Sequence, residues 1–281
     1  MNFRTDLAIE IKEAVPGERD GVVCEQLSIG EVDIIRMTVE NERGERTLNR
    51  PRGKYITIEA SPFRSHYEIN EDCRIATSNE LKSMLPKSGT VLVCGIGNTD
   101  ITPDSYGPRV GAQVLSTRHI GDELAMLGKL RAVAVICPGV LGQTGMETIE
   151  IIKGVADKIK PSAVIVIDAL AARSLDRLGR TIQLSDTGLT PGSGVGNARQ
   201  EISKRTLGIP VISVGVPTVV DACTMVSDFG GNCEHHNARN MVVTPKEIDL
   251  IISHAARLTA HAINCALQTD ISSEDLLTLI S

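Results

Sequence analysis

Two aspartates stand where a sheet-based catalyst would carry them. Asp168 follows the apolar run SAVIVI (162–167), and Asp104 lies in the loop NTDITPDSYGP (98–108) that follows VLVCGIG (91–97). Ligands of an open parallel sheet bind beyond the carboxyl ends of its strands. If the two runs are near neighbours, their loops leave the same edge and the acids converge in one crevice. Two partly buried carboxyls in contact cannot easily both ionise, so one keeps its proton well above the ordinary range. The ionised partner can take a proton from water. The protonated one can polarise a carbonyl and protonate a leaving nitrogen. A structural use competes with this reading: Asp104, after Thr102-Pro103, can cap the helix that follows it, and Asp168 can cap DALAARS.

Glycine-rich loops surround the same edge. GIGN (95–98) supplies Gly97 and Asn98, PGVLGQTGMET (138–148) supplies Gly139, and GSGVGN (192–197) supplies Gly192 and Gly194. These are expected to approach a ligand with their backbone or to form mobile turns. GSGVGN lacks both the GxGxxG spacing and the Lys-Ser/Thr of a phosphate loop. A hydrolytic metal held by Asp104, Asp168 and His119 is the alternative use of the acids. Cys233, His235 and His236 in CEHHNARN (233–240) have no matching second pair and read as a surface loop. Neither GxSxG nor HExxH occurs.

The elements that must hold these loops read as an α/β fold. Apolar residues are 42% of the 281 and charged residues 23%, which excludes a disordered chain. No apolar run reaches the ~20 residues of a membrane span. A net charge of −6 without a basic cluster argues against direct nucleic-acid binding. Trp is absent, so Val, Ile, Leu and Ala must build the core. VLVCGIG, AVAVICPG (132–139), SAVIVIDA (162–169) and PVISVGVP (210–217) read as buried strands, with TIQLS (181–185) a weaker one. Helical patterns lie between them, over 109–127 and 149–160. The alternation predicts a mostly parallel twisted sheet with helices on both faces. Residues 31–60 add a small N-terminal antiparallel β extension, a flap or edge, with NERGERTLNRPRG as its turn. Thr244, Pro245 and Glu247 predict a capping box for a last long helix to about 268. Seven scattered cysteines without a CxxC pair predict free thiols rather than a disulfide framework. The chain is expected to form a single domain over 1–281.

At these loops the sequence resembles the germination protease of spore-forming bacteria. The resemblance is carried by FRTDLA (3–8), TPDSYGP (102–108), TRHI (117–120), PGVLGQTGMET, IDALAARS (167–174), SDTGLTPGSGVGN (185–197), GIPVISVGVPTVVDA (208–222) and MVVTPKEID (241–249). It implies an endopeptidase that degrades small acid-soluble spore proteins during germination, in a fold similar to the hydrogenase maturation endopeptidases. It implies an atypical aspartic dyad of Asp104 and Asp168, without cofactor or metal. It also implies a self-processing zymogen, a homotetramer, and a place in the cytoplasm of the forespore and in the spore core. No membrane or nucleic-acid partner is implied. A propeptide here would be short, within residues 1–10. The insertion that some members carry between PTVVDA and MVVTP is missing.

Overall fold

Strands built almost entirely of aliphatic residues must be covered on both faces, and here they occupy the middle of one mixed sheet. The computed structural model describes residues 5–14, 20–65, 69–120, 130–231 and 241–279. Strands β4 (Val91–Gly95), β5 (Val133–Ile136), β6 (Ala163–Ala172) and β8 (Val211–Asp221) pair in parallel in the order β5-β4-β6-β8. On the far side of β8 the pairing turns antiparallel. It continues through β7 (Thr181–Ser185), β3 (Gly53–Glu59), β2 (Val32–Val39) and β1 (Val22–Ile29). A two-residue strand, β9 (Val242–Val243), pairs with Val220 and Asp221 of β8.

The expected core of parallel strands is therefore present, with the N-terminal β residues as its continuation. They are not a loose flap: Ile56 and Ile58 of β3 lie opposite Leu184 and Ile182 of β7 and share one core with them. Strand β1 was not anticipated; its residues are mostly exposed and carry little apolar alternation. The polar link after β2 is not a plain turn. It folds as α2 (Glu42–Leu48), because the Asn41 side chain accepts the N–H groups of Arg43 and Gly44 at its start.

Side-chain alternation divides the coverings. Val93, Ile165, Ile167, Ile212 and Val214 face α3 (Glu71–Met84), α4 (Tyr106–Gly111) and α9 (Ile248–Leu267). Leu92, Cys94, Val164 and Val166 face the opposite way, against Ile149, Ile152 and Ala156 of α6 (Thr148–Ile159). Farther along that second face, Leu7 and Ile9 at the start of α1 (Ala8–Ala14) pack on Leu170, Ala172 and Val220.

Several boundaries differ from expectation for identifiable reasons. The helix expected over 109–127 ends at Gly111. Asn264 of α9 accepts the Leu115 N–H at 2.9 Å and donates to the Gln113 carbonyl at 3.0 Å, and the N–H groups of Thr117 and Arg118 turn to the Val133 carbonyl. Residues 121–129 lie outside the described residues, as does CEHHNARN. The expected capping box before α9 does not form: the Thr244 hydroxyl donates to the Thr218 carbonyl at 2.9 Å, and the helix begins at Ile248. The segment NARQEISKRTLG (197–208) is helical only in the single turn α7 (Lys204–Leu207), since Ile202 pairs with Leu189 in an isolated bridge. Cys24, Cys73, Cys94, Cys137 and Cys265 are free, as expected, whereas Cys223 is disulfide-bonded.

Candidate active site

Asp168 is not at a strand tip. Strand β6 runs four residues past it, to Ala172, with Asp168 opposite Gly215 of the long strand β8. It therefore caps no helix. The strand could extend because Val164–Ala172 finds a partner along β8, with one shift of register between Leu170 and Ala171. The Asp168 side chain is 6% exposed, and its Oδ1 accepts the N–H of Ala169 at 2.9 Å.

Asp104 closes a 3₁₀ turn, Thr102–Asp104, held by an Asp104 N–H bond to the Ile101 carbonyl at 2.8 Å. Its Oδ2 accepts the Asn98 N–H at 2.8 Å, so the carboxylate reaches back across its own loop instead of capping α4. Gly97 makes this loop possible. Its φ is +134°, and an added Cβ would sit 1.9 Å from the Asp104 carbonyl oxygen. The Asn98 side chain then ties the loop to its neighbour: its Oδ1 accepts Gln143 Nε2 at 2.6 Å from α5 (Leu141–Thr144).

The two acids meet. Both line a cavity of about 500 Å³ with Asn98, Leu141, Gly192 and Val242 among its walls. Burial first, then the negative charge of Asp104, then that of Asp6 hold the Asp168 carboxyl well above the ordinary carboxylate range. Burial also raises Asp104, and the Asn98 N–H opposes that rise.

Of the loop residues expected near a ligand, Asn98 and Gly192 line this cavity. Gly97, Gly139 and Gly194 stand behind its walls and shape the loops. Gly139, at φ +73°, begins the turn into α5 beside Gln143, and Gly194 packs on Asp6 and Ala171. His119 is exposed in a turn and does not line the cavity. Among the described residues, no group of three or more His, Cys, Asp or Glu is placed to hold one metal ion. No described helix is long and apolar enough to cross a membrane.

Sequence reasoning passed over a third acid in the cavity wall, Asp6. Its Oδ2 accepts the Ala171 N–H at 2.9 Å and its Oδ1 accepts the Ser193 hydroxyl at 2.6 Å. The only sequence signal was its place in FRTDLA; no spacing links residue 6 to a strand end more than 160 positions away. Glu10 reinforces the attachment. It is 2% exposed, accepts the N–H groups of Arg173 and Ser174, and lies 3.6 Å from Arg177, which also pairs with Glu13 and Glu59.

The sequence profile of a family described as germination protease matches residues 5–239. The chain is 40% identical to a germination protease of Caldanaerobacter subterraneus subsp. tengcongensis over 321 aligned positions, covering 100% of this chain and 98% of the relative. It is 40% identical to that of Clostridium perfringens, covering 98% of each, and 35% identical to that of Bacillus velezensis, covering 97% and 95%. A crystal structure of the NiFe hydrogenase maturation protease HycI from Thermococcus kodakarensis aligns with a TM-score of 0.39 at 19% identity, over 66% of this chain and 98% of that one. Matched across most of its length by the profile and end to end by these relatives, the chain belongs to the germination protease family.

Proposed function

We propose that this germination protease is an endopeptidase of atypical aspartic type, with Asp104 and Asp168 as its catalytic pair. One observation carries the reading: an acid within strand β6 and an acid from the loop after β4 share one cavity, the first of them buried and facing two other negative charges. That asymmetry assigns the roles. Asp168, whose burial and neighbouring acids favour its protonated form, is the acid, and Asp104, steadied by the Asn98 N–H, is the carboxylate. Asp104 takes a proton from a water molecule as the water oxygen attacks the peptide carbon. Asp168 donates a hydrogen bond to the carbonyl oxygen as its charge grows. The proton gained by Asp104 passes to the leaving nitrogen as the C–N bond breaks, and the pair returns to its starting state.

The substrates in this reading are small acid-soluble spore proteins, degraded during germination, and the chain acts on itself as well. The N-terminal segment supports self-processing, because Asp6 already lies in the cavity wall. Lower pH raises the protonated fraction of Asp168, so self-processing is favoured below neutrality. The family resemblance supports a homotetramer working in the forespore cytoplasm and spore core.

The test is digestion of a purified small acid-soluble spore protein by wild type, Asp104→Asn and Asp168→Asn, each with and without chelator. Wild type is expected to cut with or without chelator, and each variant to lose about 10²- to 10⁴-fold in rate. Activity that survives either substitution overturns the dyad. Activity that chelator abolishes and a divalent ion restores makes the acids metal ligands instead.

A further inference from the structure

Residues 5–7 lie along the C-terminal end of β6 before α1 begins. The Asp6 N–H donates to the Ala171 carbonyl at 2.9 Å, and the Ala171 N–H is returned to Asp6 Oδ2. Two side chains from elsewhere in the sheet then grip the backbone of this segment. Gln183 of β7 uses both ends of its amide around Leu7: Nε2 donates to the Asp6 carbonyl at 3.1 Å, and Oε1 accepts the Ala8 N–H at 2.6 Å. Arg50, between α2 and β3, donates from Nη2 to the carbonyls of Thr5 at 3.0 Å and Asp6 at 3.1 Å. Its Nε is buried without a partner among the described residues. Leu7, between these grips, is fully buried against Leu170, Ala172 and Val220.

A glutamine that served only to cap α1 would need its oxygen alone. Here the amide nitrogen and the guanidinium both turn to the carbonyl on the other side of Leu7. Each of the Gln183 and Arg50 contacts addresses main-chain atoms, which any peptide possesses. Arg50, Gln183 and Asp168 also line one pocket with Asp6, of about 160 Å³. The grip therefore adjoins Asp168, one member of the acid pair. Addition of an extended segment to a strand, with hydrogen bonds to its main chain, is a general mode of peptide binding.

We propose that Gln183 and Arg50 are the residues with which this peptidase holds an extended stretch of unfolded substrate, and that the chain's own residues 5–7 occupy that track in this structure. The inference rests on the peptidase reading above. It restricts the substrate to segments whose consecutive N–H and C=O groups are free, which strands and helices inside a folded protein do not offer.

The experiment measures KM and kcat of the full chain on an unfolded small acid-soluble spore protein, for wild type, Gln183→Met and Arg50→Met. A synthetic peptide with the sequence of residues 3–10 serves as inhibitor. Each substitution deletes donors to a backbone carbonyl; KM is expected to rise about tenfold with kcat within about twofold. The peptide is expected to compete with substrate, and to compete about tenfold more weakly against Gln183→Met. Unchanged KM in both variants, a loss confined to kcat, or a peptide that does not compete would overturn the proposal, since a purely structural glutamine produces those results. Should Gln183→Met fail to fold, Arg50→Met and the peptide decide. A wild type that cuts no peptide at all removes the peptidase reading itself, whereas wild-type cleavage with unmoved KM removes this inference alone.

Discussion

Gly97→Ala places a methyl group where the Asp104 loop crosses its own beginning. The added Cβ would lie 1.9 Å from the Asp104 carbonyl oxygen and 3.3 Å from Pro108 Cδ. Since Cβ atoms essentially never approach a heavy atom closer than 3.0 Å, about 1.1 Å must be found by moving backbone. Neither side of the contact is a flexible chain end. The displaced residue is Asp104 itself, whose carboxylate is set by its 2.8 Å bond from the Asn98 N–H. A shift of about 1 Å in a reacting group costs roughly 10²-fold in rate. Alanine at φ +134° adds strain of about 1–3 kcal/mol. For a chain of this size that lowers Tm by roughly 3–4 °C for the middle of that range. Gly154→Ala is the control: it lies within α6, nothing stands within 4 Å of its added Cβ, and removing a helical glycine should stabilise by about 0.5–1 kcal/mol. The assay is the initial rate of digestion of an unfolded spore protein, with a thermal melt of each variant. A Gly97→Ala protein that cuts within twofold of wild type would show that the close approach does not position Asp104.

Burial and two neighbouring acids raise the Asp168 carboxyl, so the folded state binds its proton more tightly than the unfolded chain does. Stability then falls as pH rises from about 4, the unfolded carboxylate range, through the raised value; Asp168→Asn should remove that decline, and a melting advantage over wild type that fails to grow above about pH 4 would contradict it. Trimming of the N-terminus, followed by mass spectrometry, should accelerate as pH drops below neutral and stop in Asp104→Asn. Arg177→Met strips Glu10, Glu13 and Glu59 of their shared cation and should cost about 1–3 kcal/mol, with faster proteolysis of α1; an unchanged melt would mean that α1 is held by its apolar contacts alone. Tyr106→Phe removes a fully buried hydroxyl that donates to Thr259 Oγ1 at 2.8 Å, for an expected loss of about 1 kcal/mol in chemical denaturation.

The strands of the parallel core were legible because runs such as VLVCG and AVIVI leave no polar face to expose. The antiparallel half was less so. β7 and β3 carry Thr, Gln, Lys and Glu, and only their pairing with each other and with β8 makes them central strands. The long helix expected after Asp104 failed for a tertiary reason: Asn264, far along the chain, takes the backbone groups that a continuing helix would have used. At the site, Asp104 and Asp168 could be picked out because each stands near the end of an apolar run. Gln183 gave a fainter sign, as a single amide inside TIQLS, while Arg50 sat in a stretch that read simply as polar turn.

Residue type and short-range order by themselves determined which segments are buried strands, which loops are glycine-rich, and that two acids follow apolar runs. Those are local consequences of where apolar surface can be hidden and where a backbone can turn. Only the tertiary structure decided that β6 runs on past Asp168, that Asp6 joins the two acids, and that Gln183 and Arg50 hold the segment in between. The physical reason is that these are relations between groups 44 to 177 positions apart, set by the order in which strands lie in the sheet. Spacing along a chain fixes what a residue's neighbours are; the depth at which a carboxyl is buried, and the charges that face it, exist only once the sheet is assembled.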